Sequence, residues 1–85
     1  MQSEIDTDTC GWIDNSVDAA LRYYDQGRAG EAVAAFFLGM AQNPRTRHIA
    51  YNDHRLYDQI QLERAAKKDD REAFKNTMYD LVFIP

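Results

Sequence analysis

Apolar side chains recur along most of the chain at intervals of three and four residues, the spacing at which one face of an α-helix repeats. The first such stripe consists of Val17, Ala20, Leu21 and Tyr24. Asn15 or Ser16 is expected to cap the start of this helix, because short polar side chains accept hydrogen bonds from free backbone N–H groups. Gly27 stands where a glycine commonly ends a helix. The pattern therefore predicts a first helix that ends near Gly27.

Residues 29–43 predict a second helix that is apolar on both faces. One face consists of Ala29, Ala32, Val33, Phe36, Phe37, Met40 and Ala41, and the other of Ala34, Ala35 and Leu38. A helix that is apolar all round must be covered all round. We therefore expect it to be the central helix, with part of its cover supplied by a second subunit. Asn43 and Pro44 end it, because the residue before proline avoids the α region.

Two more apolar stripes follow in the second half of the chain. They consist of Leu56, Tyr57, Ile60 and Ala65, and of Ala73, Phe74, Thr77, Met78, Leu81 and Val82. Asp69 and Glu72 predict a capping box at the start of the last helix. Residues 44–67 are compatible with one long helix or with two, the second capped by Asn52 or Asp53.

The predicted fold is all-α, a small four-helix domain of two helical hairpins. No segment alternates between apolar and polar residues for long enough to predict a strand, and the surroundings of Ile5 are the one weak candidate. Residues 1–12 are interpreted as an acidic N-terminal arm and residues 13–85 as a single helical domain. A chain of 85 residues has room for one such core.

Charge is unevenly distributed along the chain, which carries a net charge of −4. Residues 1–18 contain five acidic residues and no Lys or Arg, whereas residues 44–55 contain Arg45, Arg47 and Arg55 against Asp53. Nucleic acid is not expected as a partner, because such binding draws most of its affinity from clustered cations. The acidic arm favours a protein partner with a basic surface.

Composition predicts a cytoplasmic protein that does not enter a membrane. Cys10 is the only cysteine, so no disulfide can form within the chain. The longest apolar run, Ala32 to Ala41, has about half the length of a membrane span. The start of the chain has no signal-peptide pattern.

The acidic start of the chain resembles a calcium loop in spacing only. Asp6, Asp8 and Gly11 fall at the first, third and sixth places of such a loop, but Val17 occupies the twelfth, where a bidentate carboxylate is required. Cys10, His48 and His54 lack the paired spacing of a zinc site. No metal site and no cofactor is expected.

The first predicted hairpin, residues 13–44, resembles a tetratricopeptide repeat. Fixed positions of that repeat take small residues, aromatic residues, a turn residue and a residue that ends the second helix. The residues at these positions here are Ala20, Tyr23, Gly27, Ala32, Phe36 and Pro44. Gly39 departs from the pattern, since the second helix of that repeat usually has Ala there, and this departure is interpreted as tolerable. The resemblance implies a groove that binds protein.

A shorter resemblance concerns residues 47–54, RHIAYNDH. Arg47 and His54 are separated by six residues, which is similar to the motif of HEPN-type ribonucleases, a family that is all-helical and usually dimeric. The resemblance implies that Arg47 would contact an RNA phosphate and that His54 would act in acid–base chemistry. The acidic balance of the chain argues against RNA, and the alternative is a basic connector that forms salt bridges.

The function expected from the sequence is binding to a partner protein, without catalysis. The residues expected to contact the partner are Arg47, Tyr51, Arg55, Tyr57, Asp6 and Asp8, because arginine and tyrosine are enriched at binding hot spots and the aspartates can meet a basic partner. An alternative is a small acidic inhibitor, of the kind that phages and mobile elements encode, occupying a basic nucleic-acid-binding surface of a host enzyme or effector complex. The HEPN-like ribonuclease is a third hypothesis.

The apolar second helix predicts a homodimer in solution. Light scattering of the purified protein is expected to give twice the mass of one chain, because a second copy would cover the exposed apolar face. A single-chain mass that persists at high concentration would contradict this prediction.

Overall fold

The protein is all-α, as the apolar periodicity predicts. The computed structural model describes residues 7–68 and 70–83. In those residues the chain forms five helices and no strand: α1 Thr7–Asp25, α2 Ala29–Ala41, α3 Arg47–Tyr51, α4 Arg55–Lys67 and α5 Arg71–Phe83. The weak strand candidate around Ile5 lies outside the described residues.

Helix α1 begins at Thr7, so the prediction that Asn15 or Ser16 caps its start is wrong. Its buried face continues upstream through Thr9 and Ile13, at the same spacing that Val17 repeats. Ser16 lies inside the helix, where its hydroxyl donates a hydrogen bond to the Trp12 carbonyl four residues earlier. Of the arm predicted at residues 1–12, residues 7–12 are therefore helical, and residues 1–6 lie outside the described ranges.

The turn between α1 and α2 depends on Gly27, as predicted. Gly27 has a positive φ of 77°, a conformation that glycine adopts without steric cost. Its N–H bonds to the Tyr24 carbonyl at 3.0 Å, and the Arg28 N–H bonds to the Tyr23 carbonyl at 2.9 Å. These two bonds form a Schellman motif, which satisfies carbonyls at the end of α1 and lets α2 begin at Ala29.

Helix α2 occupies the centre of the molecule and packs against α1, α3 and α4. It contributes five buried residues to the core. The hydrophobic core consists of Ile13, Val17, Ala20, Leu21, Ala32, Val33, Phe36, Phe37, Met40, Ile49, Ala50, Leu62, Ala65, Ala66, Phe74 and Met78. The expected central position of the second helix is thus observed.

Helices α1 and α2 approach most closely at Gly39. A Cβ atom at this position would lie 2.4 Å from Ser16 Oγ and 2.9 Å from Ser16 Cβ. Beside it, the Trp12 indole N–H donates a hydrogen bond of 2.7 Å to the Gly39 carbonyl. An alanine side chain would therefore overpack this contact, which gives the departure from the repeat's usual Ala a packing reason.

Residues 44–67, for which the sequence allowed one helix or two, form the separate helices α3 and α4. The buried Thr46 hydroxyl donates to the Met40 carbonyl at 2.7 Å and so satisfies the end of α2. Asn52 follows α3 and accepts a hydrogen bond from the His54 backbone N–H at 2.7 Å. This Asx turn separates the two helices, since it holds Asn52 in extended backbone geometry.

Helix α5 is capped at its N-terminal end and is held there against α1. Asp70 caps it by accepting a hydrogen bond from the Ala73 N–H at 3.1 Å, whereas Asp69 of the predicted capping box lies outside the described residues. Arg71 forms an ion pair with Asp25 of α1 at 2.9 Å. The rings of Tyr24 and Phe74 stack with centroids 5.1 Å apart, and this stack joins α1 to the core face of α5.

Tyr79 provides a further contact between α5 and α1. Its hydroxyl donates a hydrogen bond of 2.6 Å to Asp14 Oδ1. Partial burial, together with this hydrogen bond, raises the pKa of Tyr79 to about 12. The folded protein therefore holds the phenolic proton more tightly than the unfolded chain does.

Replacing Gly39 with Ala is expected to lower the free energy of unfolding by about 1–3 kcal/mol, because the added methyl group overpacks the contact with Ser16. Gly11→Ala is the matched control, since nothing lies within 4 Å of the added Cβ there. The control is expected to raise the free energy of unfolding by up to about 1 kcal/mol through helix propensity. Chemical denaturation followed by circular dichroism measures both, and equal stability of the two variants would refute the close approach.

The stability that Tyr79 contributes is expected to be complete below about pH 10 and to be lost as the pH rises from about 10 to about 12. The sign follows because the folded state, with the higher pKa, binds more protons than the unfolded state in this window. Urea unfolding of the wild type and of Tyr79→Phe across this range provides the measurement. The stability difference between the two proteins should shrink with rising pH, and a constant difference would contradict the assignment.

Candidate functional site

The large apolar side chains of α4 face outward. Leu56 is 72% exposed, Tyr57 64% and Ile60 48%, whereas the buried residues of the helix are Leu62, Ala65 and Ala66. Of the apolar stripe that the sequence shows in this helix, Ala65 is buried, whereas Leu56, Tyr57 and Ile60 face outward. Helix α4 is apolar on two sides, and its alanine side packs inward because small residues allow close contact with its neighbours. We call Leu56, Tyr57 and Ile60 the outer face of α4.

A second exposed apolar surface is a groove of about 370 Å³ between α2, α3 and the start of α4. The residues that line this groove, which we call the α2–α4 groove, are Ala34, Phe37, Leu38, Ala41, Ala50, Tyr51 and Arg55. Leu38 is 60% exposed and Tyr51 70% exposed at its edges, while Phe37 and Ala50 are buried beneath them. The groove therefore has an apolar floor and two large exposed side chains.

Local hydrogen bonds set the walls of the α2–α4 groove. The Thr46 bond to Met40 turns the chain directly after α2, so that α3 returns along that helix. The Asn52 side-chain amide donates to the Ile49 carbonyl at 3.2 Å, which closes the end of α3 just after Tyr51. Arg55 follows as the first residue of α4. These two local hydrogen bonds thus help to place Tyr51 and Arg55 at the same groove as Leu38.

Two arginines lie at the α2–α4 groove. The guanidinium carbon of Arg55 is 5.6 Å from the centroid of the Phe37 ring, a distance at which a cation is attracted to the ring face. Arg47 donates from Nε to the carbonyl of Ala41, a groove residue, at 3.3 Å. Neither forms an ion pair with a carboxylate among residues 7–68 and 70–83. The groove is therefore apolar below and cationic at its rim.

The residues that the sequence proposed for partner binding do not form one site. Tyr51 and Arg55 line the α2–α4 groove, and Arg47 reaches its Ala41 end. Tyr57 follows Arg55 by about 200° around α4 and belongs to the outer face of that helix. Asp8 is exposed in the first turn of α1 and does not line the groove, and Asp6 lies outside the described residues.

The sequence missed Leu38 and Ala34 as surface residues. Leu38 also borders an apolar depression of about 330 Å³ between α1 and α2, lined in part by Trp12 and Tyr23. It therefore forms a ridge between two apolar surfaces. The signal was present in the sequence, because a helix that is apolar all round needs cover on the side that these residues occupy.

His54 lies in a different, more polar cleft of about 590 Å³ bounded by α3, α4 and α5. His48, Asp58 and Asp80 also line this cleft, and Arg47 does not. The arginine and histidine of the ribonuclease-like motif thus take part in separate environments, since Arg47 reaches toward Ala41 instead.

Metal binding and membrane insertion find no support in the described part of the chain. Within residues 7–68 and 70–83, no group of three or more His, Cys, Asp or Glu side chains is placed to hold a metal ion. Cys10 is half-buried and free. None of the described helices combines the length and the apolar character needed to cross a membrane.

Comparison with known proteins assigns no family to the chain. No protein-family model, no curated protein and no solved structure matches it. The resemblance of residues 13–44 to a tetratricopeptide hairpin and that of residues 47–54 to HEPN-type ribonucleases therefore stay predictions.

Proposed function

We propose that this protein is a small helical interaction module that acts by binding a partner protein. The α2–α4 groove would be the main contact, and the outer face of α4 would extend it. In this proposal the helices act as two hairpins, α1 with α2 and α4 with α5, and α3 connects them. The protein performs no catalysis of its own.

The observation that carries the proposal is the exposure of five large apolar residues on consecutive elements. They are Leu38, Tyr51, Leu56, Tyr57 and Ile60. Single exposed apolar residues are ordinary in soluble proteins, whereas an apolar groove edged by two large exposed side chains, Leu38 and Tyr51, is typical of interaction sites. Its energetic reason is that covering such side chains removes apolar surface from water, at about 25 cal/mol per Å².

The composition of the groove supports the same function. Tyrosine and arginine are the residue types that most often contribute strongly to binding, and the groove supplies Tyr51 and Arg55 beside a buried aromatic floor at Phe37. The stack of Arg55 on Phe37 restricts the arginine before any partner arrives. Less conformational freedom is then lost on binding.

The double variant Leu38→Gln, Tyr51→Gln is expected to lose the partner and keep the fold. Both side chains are more than half exposed, so the free energy of unfolding should change by about 1 kcal/mol or less. Tagged wild-type protein should retain a defined protein from an extract of the native host, and the double variant should retain at least roughly tenfold less, which corresponds to about 1.4 kcal/mol of binding.

Phe83→Gln is the matched control, because Phe83 is 50% exposed at the end of α5 and does not line the α2–α4 groove. It should retain the partner as the wild type does. Equal loss in the control and the double variant would point to non-specific apolar adhesion. Full retention by the double variant would exclude the groove as the binding surface.

A further inference from the structure

We infer that the α2–α4 groove binds the apolar edge of an acidic amphipathic helix presented by a different protein. This inference rests on the proposed binding function and names the chemistry of the partner. Two properties of the groove support it, its helical walls and its cationic rim. A third observation, the charge of the protein's own helices, concerns a second copy as the occupant.

The walls favour a helical occupant. The groove floor follows α2 from Ala34 to Ala41, a length of about 10 Å at 1.5 Å per residue. About two turns of a partner helix fit this length. All described elements are helices, whose backbone groups bond internally, so the described surface has no open strand edge to pair with an extended peptide. Side-chain packing of a partner helix needs no such edge, and the helical walls of this groove fit that recognition mode.

The rim favours an acidic occupant. Among the described residues, Arg55 is the one charged residue that lines the groove, and Arg47 donates to the carbonyl at its Ala41 end. The acidic residue of α2, Glu31, is paired with Arg28. Carboxylates on a partner would therefore meet two guanidinium groups and no nearby unpaired acid of α2. Charge-assisted hydrogen bonds from arginine to carboxylate are stronger than neutral ones.

A second copy of this chain fits the groove less well. The outward apolar stripe of α4 is the described helix face that could enter the groove of another copy. Helix α4 contains three basic residues, Arg55, Arg64 and Lys67, and two acidic ones, Asp58 and Glu63. Two aspartates of α1 are already engaged, since Asp14 accepts from Tyr79 and Asp25 pairs with Arg71. The outward stripe of α4 therefore does not supply the acidic flanks that the rim favours, and we assign the occupant to another protein.

Two synthetic helical peptides test the inference. Both carry the same leucine stripe at positions i, i+3 and i+7, and the flanking positions are Glu in one peptide and Lys in the other. Fluorescence anisotropy with the full-length protein should show at least roughly tenfold tighter binding of the Glu peptide at low salt. High salt should reduce this preference, because it screens exposed charges.

Charge-removing variants assign the preference to the rim. Arg47→Gln, Arg55→Gln should weaken binding of the Glu peptide by about tenfold and abolish the preference over the Lys peptide. Arg64→Gln, Lys67→Gln is the matched control, since it removes two positive charges from residues that do not line the groove. The control should keep most of the preference.

The results that would overturn the inference are of two kinds. Equal binding of the two peptides, binding of neither, or equal effects of the two charge-removing variants overturns the acidic-helix inference. The proposed function still stands in those cases if capture of the host protein depends on Leu38 and Tyr51. One further outcome would assign the groove to a second copy and also overturn the inference. In that outcome the wild type is a dimer, the Leu38→Gln, Tyr51→Gln variant is a single chain, and the Glu peptide does not dissociate the wild-type dimer.

Discussion

The close approach of α1 and α2 at Gly39 is the contact on which the arrangement of the other helices depends. Ser16 leaves no room for a side chain at position 39, and the Trp12 indole bonds to the Gly39 carbonyl. Two helices that meet at a glycine can lie close together. Helix α1 therefore covers the Ala32 side of α2, and Phe36 and Met40 of α2 lie in the core. This contact fixes the rotation of α2 about its axis, and with it the direction in which Leu38 points.

The exposed surface follows from the number of helices available to cover α2. Helix α1 covers one side, and α3 and α4 cover another, but α2 is apolar all round and part of its circumference stays in contact with water. The Thr46 bond to Met40 and the Asx turn at Asn52 direct the chain along the edge of that uncovered part. The α2–α4 groove is therefore a consequence of packing a helix with apolar residues on all its sides against only four other described helices.

The net charge of the chain is negative, but the charged groups at the α2–α4 groove are positive. The chain is acidic, yet Asp14 and Asp25 are engaged with α5, and Glu31 is paired with Arg28. Arg47 and Arg55 have no such carboxylate partner in the described ranges and lie at an apolar groove. The chain as a whole is thus acidic, whereas the rim of its α2–α4 groove is cationic.

The sequence by itself determined the helical class, the turn at Gly27 and the central place of α2, because each depends on local periodicity or on one residue's backbone preference. Tyr51 and Arg55, which the sequence proposed for partner binding, line the same groove, and their role in binding stays a prediction. Only the tertiary structure decided which apolar side of α4 faces the core, where α1 begins and why position 39 must be glycine. Periodicity detects an apolar stripe but cannot choose between two of them, and the contact of Ser16 with Gly39 joins residues that are distant in sequence.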